Sequence, residues 1–192
     1  MILLIVSWVL YYSLHSLLAS NELKTWSKKR LGSNYRYYRL GFNFISLAGF
    51  AAIAVWQISL PSPALITQNL FLTGAGIFLI LAGMMTGYIA FSAYDTAAFI
   101  GFTQEENPAS PPQLITSGLN RYVRHPLYFA TILLLAGFLL VSFKVKTAAF
   151  VSVSLVYLVV GTMLEEKKLE QTFGEAYQTY KQEVKMFIPF II

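Results

Sequence analysis

The sequence predicts an all-α integral membrane protein with about five transmembrane helices and one amphipathic C-terminal helix on the cytosolic side. Three observations carry this. Hydrophobic residues make up 56% of the 192-residue chain and charged residues 12%, whereas a soluble domain typically carries roughly 25% charged residues. Five segments reach or approach the roughly 20 apolar residues needed to cross a bilayer: 1–19, 41–60, 69–91, 126–143 and 147–164. Basic residues gather in alternate connections, as the positive-inside rule requires.

The first segment, 1–19, has the length of a signal peptide, with Leu18-Ala19-Ser20 as a conceivable cleavage site. A positive n-region is missing, and the basic residues follow the apolar run. A retained first helix is therefore expected. Lys24, Lys28, Lys29, Arg30, Arg36 and Arg39 separate it from the second segment, 41–60. The uncharged turn Pro61-Ser62-Pro63 leads to the third, 69–91. Residues 92–125 follow and contain Arg121 and Arg124. The fourth and fifth segments are short and need packing against neighbours. Lys144 and Lys146 lie between them. Lys167, Lys168, Lys181 and Lys185 lie after the fifth.

Crossing at each segment puts twelve basic residues on one face and two on the other. The N-terminus is then outside and the C-terminus cytosolic. A bacterial or archaeal inner membrane and an endoplasmic reticulum membrane both fit. The expected organisation is one membrane domain over 1–192, with three helices and their loops in 1–111 and a helical hairpin plus the last helix in 112–192.

Beyond the fifth segment Leu169, Phe173, Tyr177, Tyr180 and Val184 recur at helical spacing among polar residues. This predicts one amphipathic helix with Gly174 in its middle permitting a bend, ended by Pro189 before the apolar tail Phe190-Ile191-Ile192.

The composition also sets limits on chemistry. There is no cysteine and there are only two histidines, His15 and His125. Thiolate chemistry and a histidine-rich metal centre are not expected. The net charge of +5 is read as topology and attraction to lipid headgroups rather than nucleic-acid binding, because the charges flank apolar segments.

Two clusters carry chemistry. Arg121-Tyr122-Val123-Arg124-His125-Pro126-Leu127-Tyr128 places a proline where a helix begins, at a position that needs no N–H. Such a helix start is electropositive and suits an anion. Glu165-Glu166 stands at the end of the fifth segment. His125 lies 20 residues before Val145 and Glu165 lies 20 after it. In a helical hairpin turning near Val145, equal offsets mean equal depth. The two clusters should therefore meet, and their chemistry suits a ligand carrying both a carboxylate and positive charge. Tyr94-Asp95 past the third segment reads as interfacial.

The ordered set Leu114-Ile115-x-x-Gly118, Arg124-His125-Pro126-x-Tyr128, Glu165-Glu166-x-x-Leu169, Phe173-Gly174-x-x-Tyr177-x-x-Tyr180, Val184 and Ile188-Pro189 resembles the isoprenylcysteine carboxyl methyltransferase and phospholipid methyltransferase superfamily of membrane enzymes. His15 in Leu14-His15-Ser16 is similar to the first span of bacterial members related to methanethiol S-methyltransferase. The resemblance implies S-adenosylmethionine as cofactor and a methyl acceptor that is small or lipophilic and enters from the lipid bilayer. It further implies cofactor binding by His125, Pro126 and the backbone from Leu114 to Gly118. Arg124 would position the loop or a carboxylate, Tyr128 would line the pocket, and Glu165 and Glu166 would take the ammonium or ribose end. Candidate bases are Glu165, Glu166, His125 and His15.

This sequence departs from the superfamily pattern at two places. Asn120 stands where an aromatic is common, and Gly161-Thr162-Met163-Leu164 lacks the arginine of prenylcysteine-specific members. Without that arginine a substrate carboxylate loses its partner. A thiol acceptor therefore ranks first, ahead of a prenylcysteine carboxylate and a phospholipid amine. Two other classes stay open: an NADPH-dependent membrane reductase resembling sterol reductases, which share an Arg-His-Pro element, and a non-catalytic membrane module.

Overall fold

A computed structural model describes residues 1–92 and 114–188, which are helical apart from turns and two isolated backbone bridges. Among the described residues, four helical runs could cross a membrane by length and composition: Ile2–Ala19, Asn21–Ser59, Leu70–Phe91 and Val145–Phe173. The described residues form two compact units.

The first unit contains α1 (Ile2–Ala19), α2 (Asn21–Leu31), a 3-10 turn (Gly32–Tyr37) and α3 (Tyr38–Ser59). Helices α1 and α3 pair antiparallel through polar contacts set in an aromatic seam. Trp8 Nε1 donates to Gln57 Oε1 at 2.7 Å, with both residues buried. Further along, the Tyr11 hydroxyl donates to the Ser46 carbonyl at 3.0 Å. Tyr38 closes the other end by donating to the Leu18 carbonyl at 2.7 Å. Such pairs satisfy polar groups that lipid cannot.

The second unit contains α4 (Leu70–Phe91), a 3-10 turn (Gly118–Arg121), α5 (Pro126–Val141), α6 (Val145–Phe173) and α7 (Glu175–Glu183). Helices α4 and α5 touch backbone to backbone. A Cβ on Gly76 would lie 2.8 Å from the Gly137 carbonyl oxygen, and one on Gly83 would lie 3.0 Å from that of Ala130. Small residues seven apart on each helix thus set how closely the pair approaches. The expected fourth span is a 16-residue helix, about 24 Å long at 1.5 Å per residue. It is shorter than the hydrocarbon core of roughly 30 Å. The turn into α6 is braced by the Leu65 N–H on the Phe143 carbonyl at 2.8 Å and the Val145 N–H on that of Pro63 at 3.1 Å.

Helix α6 has 29 residues. Its apolar run ends at Leu164, and Glu165, Glu166, Lys167, Lys168 and Glu170 occupy the turns beyond. One expectation is corrected here. The C-terminal amphipathic helix does not run unbroken through Gly174. Its first turns belong to α6, and the chain breaks at Gly174, where φ is +54°. Glycine takes this left-handed conformation without a Cβ clash and ends the helix. The periodic face survives the break: Tyr177, Tyr180 and Val184 bury together against Leu114, Leu169 and Phe173. Helix α7 ends at Glu183 and not at Pro189. Pro189, the Phe190-Ile191-Ile192 tail, and Tyr94-Asp95 lie outside the described residues.

Candidate active site

The start of α5 is built from the loop before it. Gly118, at φ +63°, opens the 3-10 turn. The segment after that turn pairs with the chain following α7: the Arg124 N–H donates to the Lys185 carbonyl at 2.8 Å and the His125 N–H to that of Met186 at 3.2 Å. His125 stands at the N-cap position of α5, without a side-chain capping bond, and Pro126 occupies the first turn. Asn120, at one departure from the superfamily pattern, donates through Nδ2 to the Arg124 carbonyl, and its own carbonyl accepts from the Tyr180 hydroxyl.

Four cationic or neutral donors converge on the buried carboxylate of Glu166. Oε1 accepts from Arg124 Nε at 2.8 Å and from the Tyr177 hydroxyl at 3.0 Å, and it lies 3.0 Å from His125 Nε2. Oε2 pairs with Lys181 Nζ at 3.2 Å, and Lys181 also reaches Glu170 Oε1 at 2.6 Å. The Arg124 side chain is itself buried, and its Nη1 donates to the carbonyls of Lys181 and Val184. Arg124 therefore ties loop, α6 and α7 together.

Burial works to raise the Glu166 pKa. Hydrogen bonds from Arg124, His125 and Lys181 outweigh it and bring the group to about 2. Burial, then the Glu166 charge, pushes the Tyr177 hydroxyl up. The Glu170 hydrogen bond leads in raising Lys181.

An ionised carboxylate only accepts hydrogen bonds. His125 Nε2 therefore carries the proton, and in the neutral ring Nδ1 keeps its lone pair. That atom faces Glu165, whose Oε2 is 3.9 Å away and whose side chain is 45% exposed. One carboxylate of the pair is thus consumed by the fold and the other is exposed. Tyr128 and Phe187 flank the imidazole, with ring centroids 5.4 and 6.4 Å away.

The structure brings together Arg124, His125, Pro126, Tyr128, Glu165 and Glu166 in the second unit. Leu114 packs on the Tyr177 cluster, and Gly118 is exposed with open space where a Cβ would be. His15 belongs to the first unit, where its Nδ1 lies 3.0 Å from Ser46 Oγ. Sequence spacing alone missed Tyr177 and Lys181, assigning one to an apolar face and the other to topology. The available signal was tyrosine rather than phenylalanine on that face.

No solved structure matches this chain. Methanethiol S-methyltransferase of Crocosphaera subtropica is 30% identical over 139 residues, 72% of this chain and 52% of that protein. Methanethiol S-methyltransferase of Pseudomonas deceptionensis is 29% identical over 139 residues, 71% of this chain and 50% of that protein. Methanethiol S-methyltransferase 1 of Bradyrhizobium diazoefficiens is 38% identical over 89 residues, 43% of this chain and 28% of that protein. The chain spans about half the length of the first two of these curated relatives. A family model described as a protein of unknown function, DUF1295, matches residues 1–184. The chain belongs to the DUF1295 family, beside relatives that carry a methyltransferase name.

Proposed function

We propose that this chain is an integral-membrane methyltransferase that uses S-adenosylmethionine and acts on a small or lipophilic thiol. The observation that carries the reading is the exposed Glu165 carboxylate standing 3.9 Å from His125 Nδ1 at the start of α5. The names of the relatives support the reaction class and the thiol.

The residues present fit the cofactor. Glu165 offers an exposed carboxylate to an ammonium. The first turn of α5 suits a carboxylate, because a helix start is electropositive. The exposed backbone around Gly118 leaves room for a ligand to approach. When bound, S-adenosylmethionine supplies a methyl group on a sulfonium, whose departure leaves a neutral thioether.

The chain's own groups do the rest. Glu165 holds the ammonium end and Pro126 opens the helix start. Leu114 anchors the stretch up to Gly118 against the Tyr177 cluster. Tyr128 walls the imidazole. His125 Nδ1 is placed to take a proton from the thiol, since the thiolate is the nucleophile. Glu166 is a positioning residue: it fixes the His125 tautomer and ring, and Arg124, Tyr177 and Lys181 hold it in turn. Alignment of acceptor and methyl supplies most of the remaining rate.

In this reading five helices cross the bilayer, α5 included. The N-terminus is outside, and α7 and the His125 cluster are on the cytosolic side of a bacterial inner membrane. The acceptor reaches the cluster from the bilayer. A prenylcysteine carboxylate fits less well, because residues 161–164 carry no positive charge and Arg124 is engaged by Glu166.

The test is transfer of labelled methyl by the purified full chain to a panel of a small thiol, a prenylcysteine and a phospholipid. The thiol is expected to be labelled fastest. Transfer to phospholipid alone would refute the thiol assignment, and transfer to none of the three would refute the substrate ranking.

A further inference from the structure

We propose that α2 and the 3-10 turn after it form a binding surface for anionic phospholipid headgroups. The inference rests on the reading that α1 and α3 cross a bilayer. Within the first unit these two helices are antiparallel, so the end of α1 and the start of α3 lie at one end of the hairpin. The chain between them is α2 and the turn.

Its direction is set by two corners. Ser20, with ψ 148°, is at once the C-cap of α1 and the N-cap of α2, and its hydroxyl accepts from the Leu23 N–H at 3.3 Å. Gly32, at φ +52°, ends α2. The segment therefore does not continue the axis of α1. Ser27 is its buried contact point.

The exposed charges are predominantly basic. Lys24, Lys28, Lys29, Arg30 and Arg36 are exposed, and Glu22 is the only acidic residue between positions 20 and 40. Aromatics are interleaved with them. Trp26 is 57% exposed, and the Arg30 guanidinium lies 5.8 Å from its ring. The Arg36 guanidinium lies 4.6 Å from the Tyr37 ring. Basic groups beside exposed tryptophan and tyrosine suit the headgroup level of a bilayer, where the ring meets acyl carbon and the cation meets phosphate.

Charge complementarity would also admit an acidic protein or a nucleic acid. The tether decides between them. A segment held at both ends by membrane-crossing helices stays within reach of the headgroups at all times, and a soluble polyanion must compete with that standing local concentration.

The test uses the full chain reconstituted in phosphatidylcholine bilayers. A minor fraction of either phosphatidylglycerol or phosphatidylcholine carries a nitroxide near the top of its acyl chain. Trp26 quenching is read as the difference between wild type and Trp26→Phe. Labelled phosphatidylglycerol should quench severalfold more than labelled phosphatidylcholine, and added salt should shrink the difference. The variant carrying Lys24→Gln, Lys28→Gln, Lys29→Gln and Arg30→Gln should lose the preference, by at most about fivefold per charge removed. Replacing the three lysines with arginine should retain it.

Equal quenching by the two lipids would overturn the proposal, as would an undiminished preference in the glutamine variant. Loss of the preference on adding polyglutamate or RNA at matched ionic strength would assign the surface to a soluble partner and also overturn it. Failure of the membrane reading looks different: neither lipid would quench any tryptophan of the wild type.

Discussion

Replacing Glu166 with alanine removes the one acceptor on which Arg124, His125, Tyr177 and Lys181 converge. The Arg124 guanidinium is 7% exposed, so the variant leaves a buried charge without its partner. Breaking a buried pair in this way costs about 3–5 kcal/mol. For a chain of this size that corresponds to a fall in thermal midpoint of roughly 6–20 °C. Glutamine should cost less, about 1–3 kcal/mol. Its carbonyl can still accept from the three donors on Oε1, but its amide faces the Lys181 ammonium. The assay is thermal unfolding of detergent-solubilised protein by intrinsic fluorescence, with alanine and glutamine side by side. An alanine midpoint within about 2 °C of wild type would refute the claim that this carboxylate holds loop, α6 and α7 together.

Three further outcomes are expected. Glu166 has a folded pKa of about 2 against 4.5 unfolded, so its contribution is complete above pH 4.5 and is lost as pH falls toward 2. The acid branch of the thermal-midpoint profile should flatten in Glu166→Gln, and an unchanged acid branch would contradict the pairing. Gly76→Ala puts a Cβ 2.8 Å from the Gly137 carbonyl and should destabilise the α4–α5 pair by about 1–3 kcal/mol, whereas Gly74→Ala, with nothing within 4 Å, should be nearly neutral in the same thermal assay. Glu165→Gln should leave the midpoint within about 2 °C and weaken S-adenosylmethionine binding about 10–100-fold by calorimetry, the worth of a charge-assisted hydrogen bond. Unaltered affinity would remove Glu165 from the site.

Helix positions were legible because apolar runs of span length have few alternatives. The meeting of His125 with the glutamate pair was legible too, because a short hairpin turn converts equal offsets along the chain into equal depth. Three things were not. Gly174 reads as a tolerated glycine inside a periodic face, and only its positive φ shows that it ends α6. The periodicity is the same on both sides of that break, since α7 folds its tyrosines onto the same cluster. Which carboxylate is buried could not be read from two adjacent glutamates. Neighbours on a helix point about 100° apart, and the choice depends on where Arg124 and Lys181 arrive from two distant segments. The close approach of α4 and α5 was hidden for a related reason, because glycine is common throughout apolar helices and only the opposing carbonyls distinguish Gly76 and Gly83 from Gly74.

The central claim is that the His125–Glu165 pair forms part of an S-adenosylmethionine site. Equilibrium binding of labelled S-adenosylmethionine and of NADPH to the purified full chain, in wild type and in His125→Ala, tests it most directly. The account predicts saturable binding of S-adenosylmethionine, none of NADPH, and a large loss of the former in the variant. Binding of NADPH alone, or S-adenosylmethionine binding that His125→Ala leaves unchanged, would contradict it.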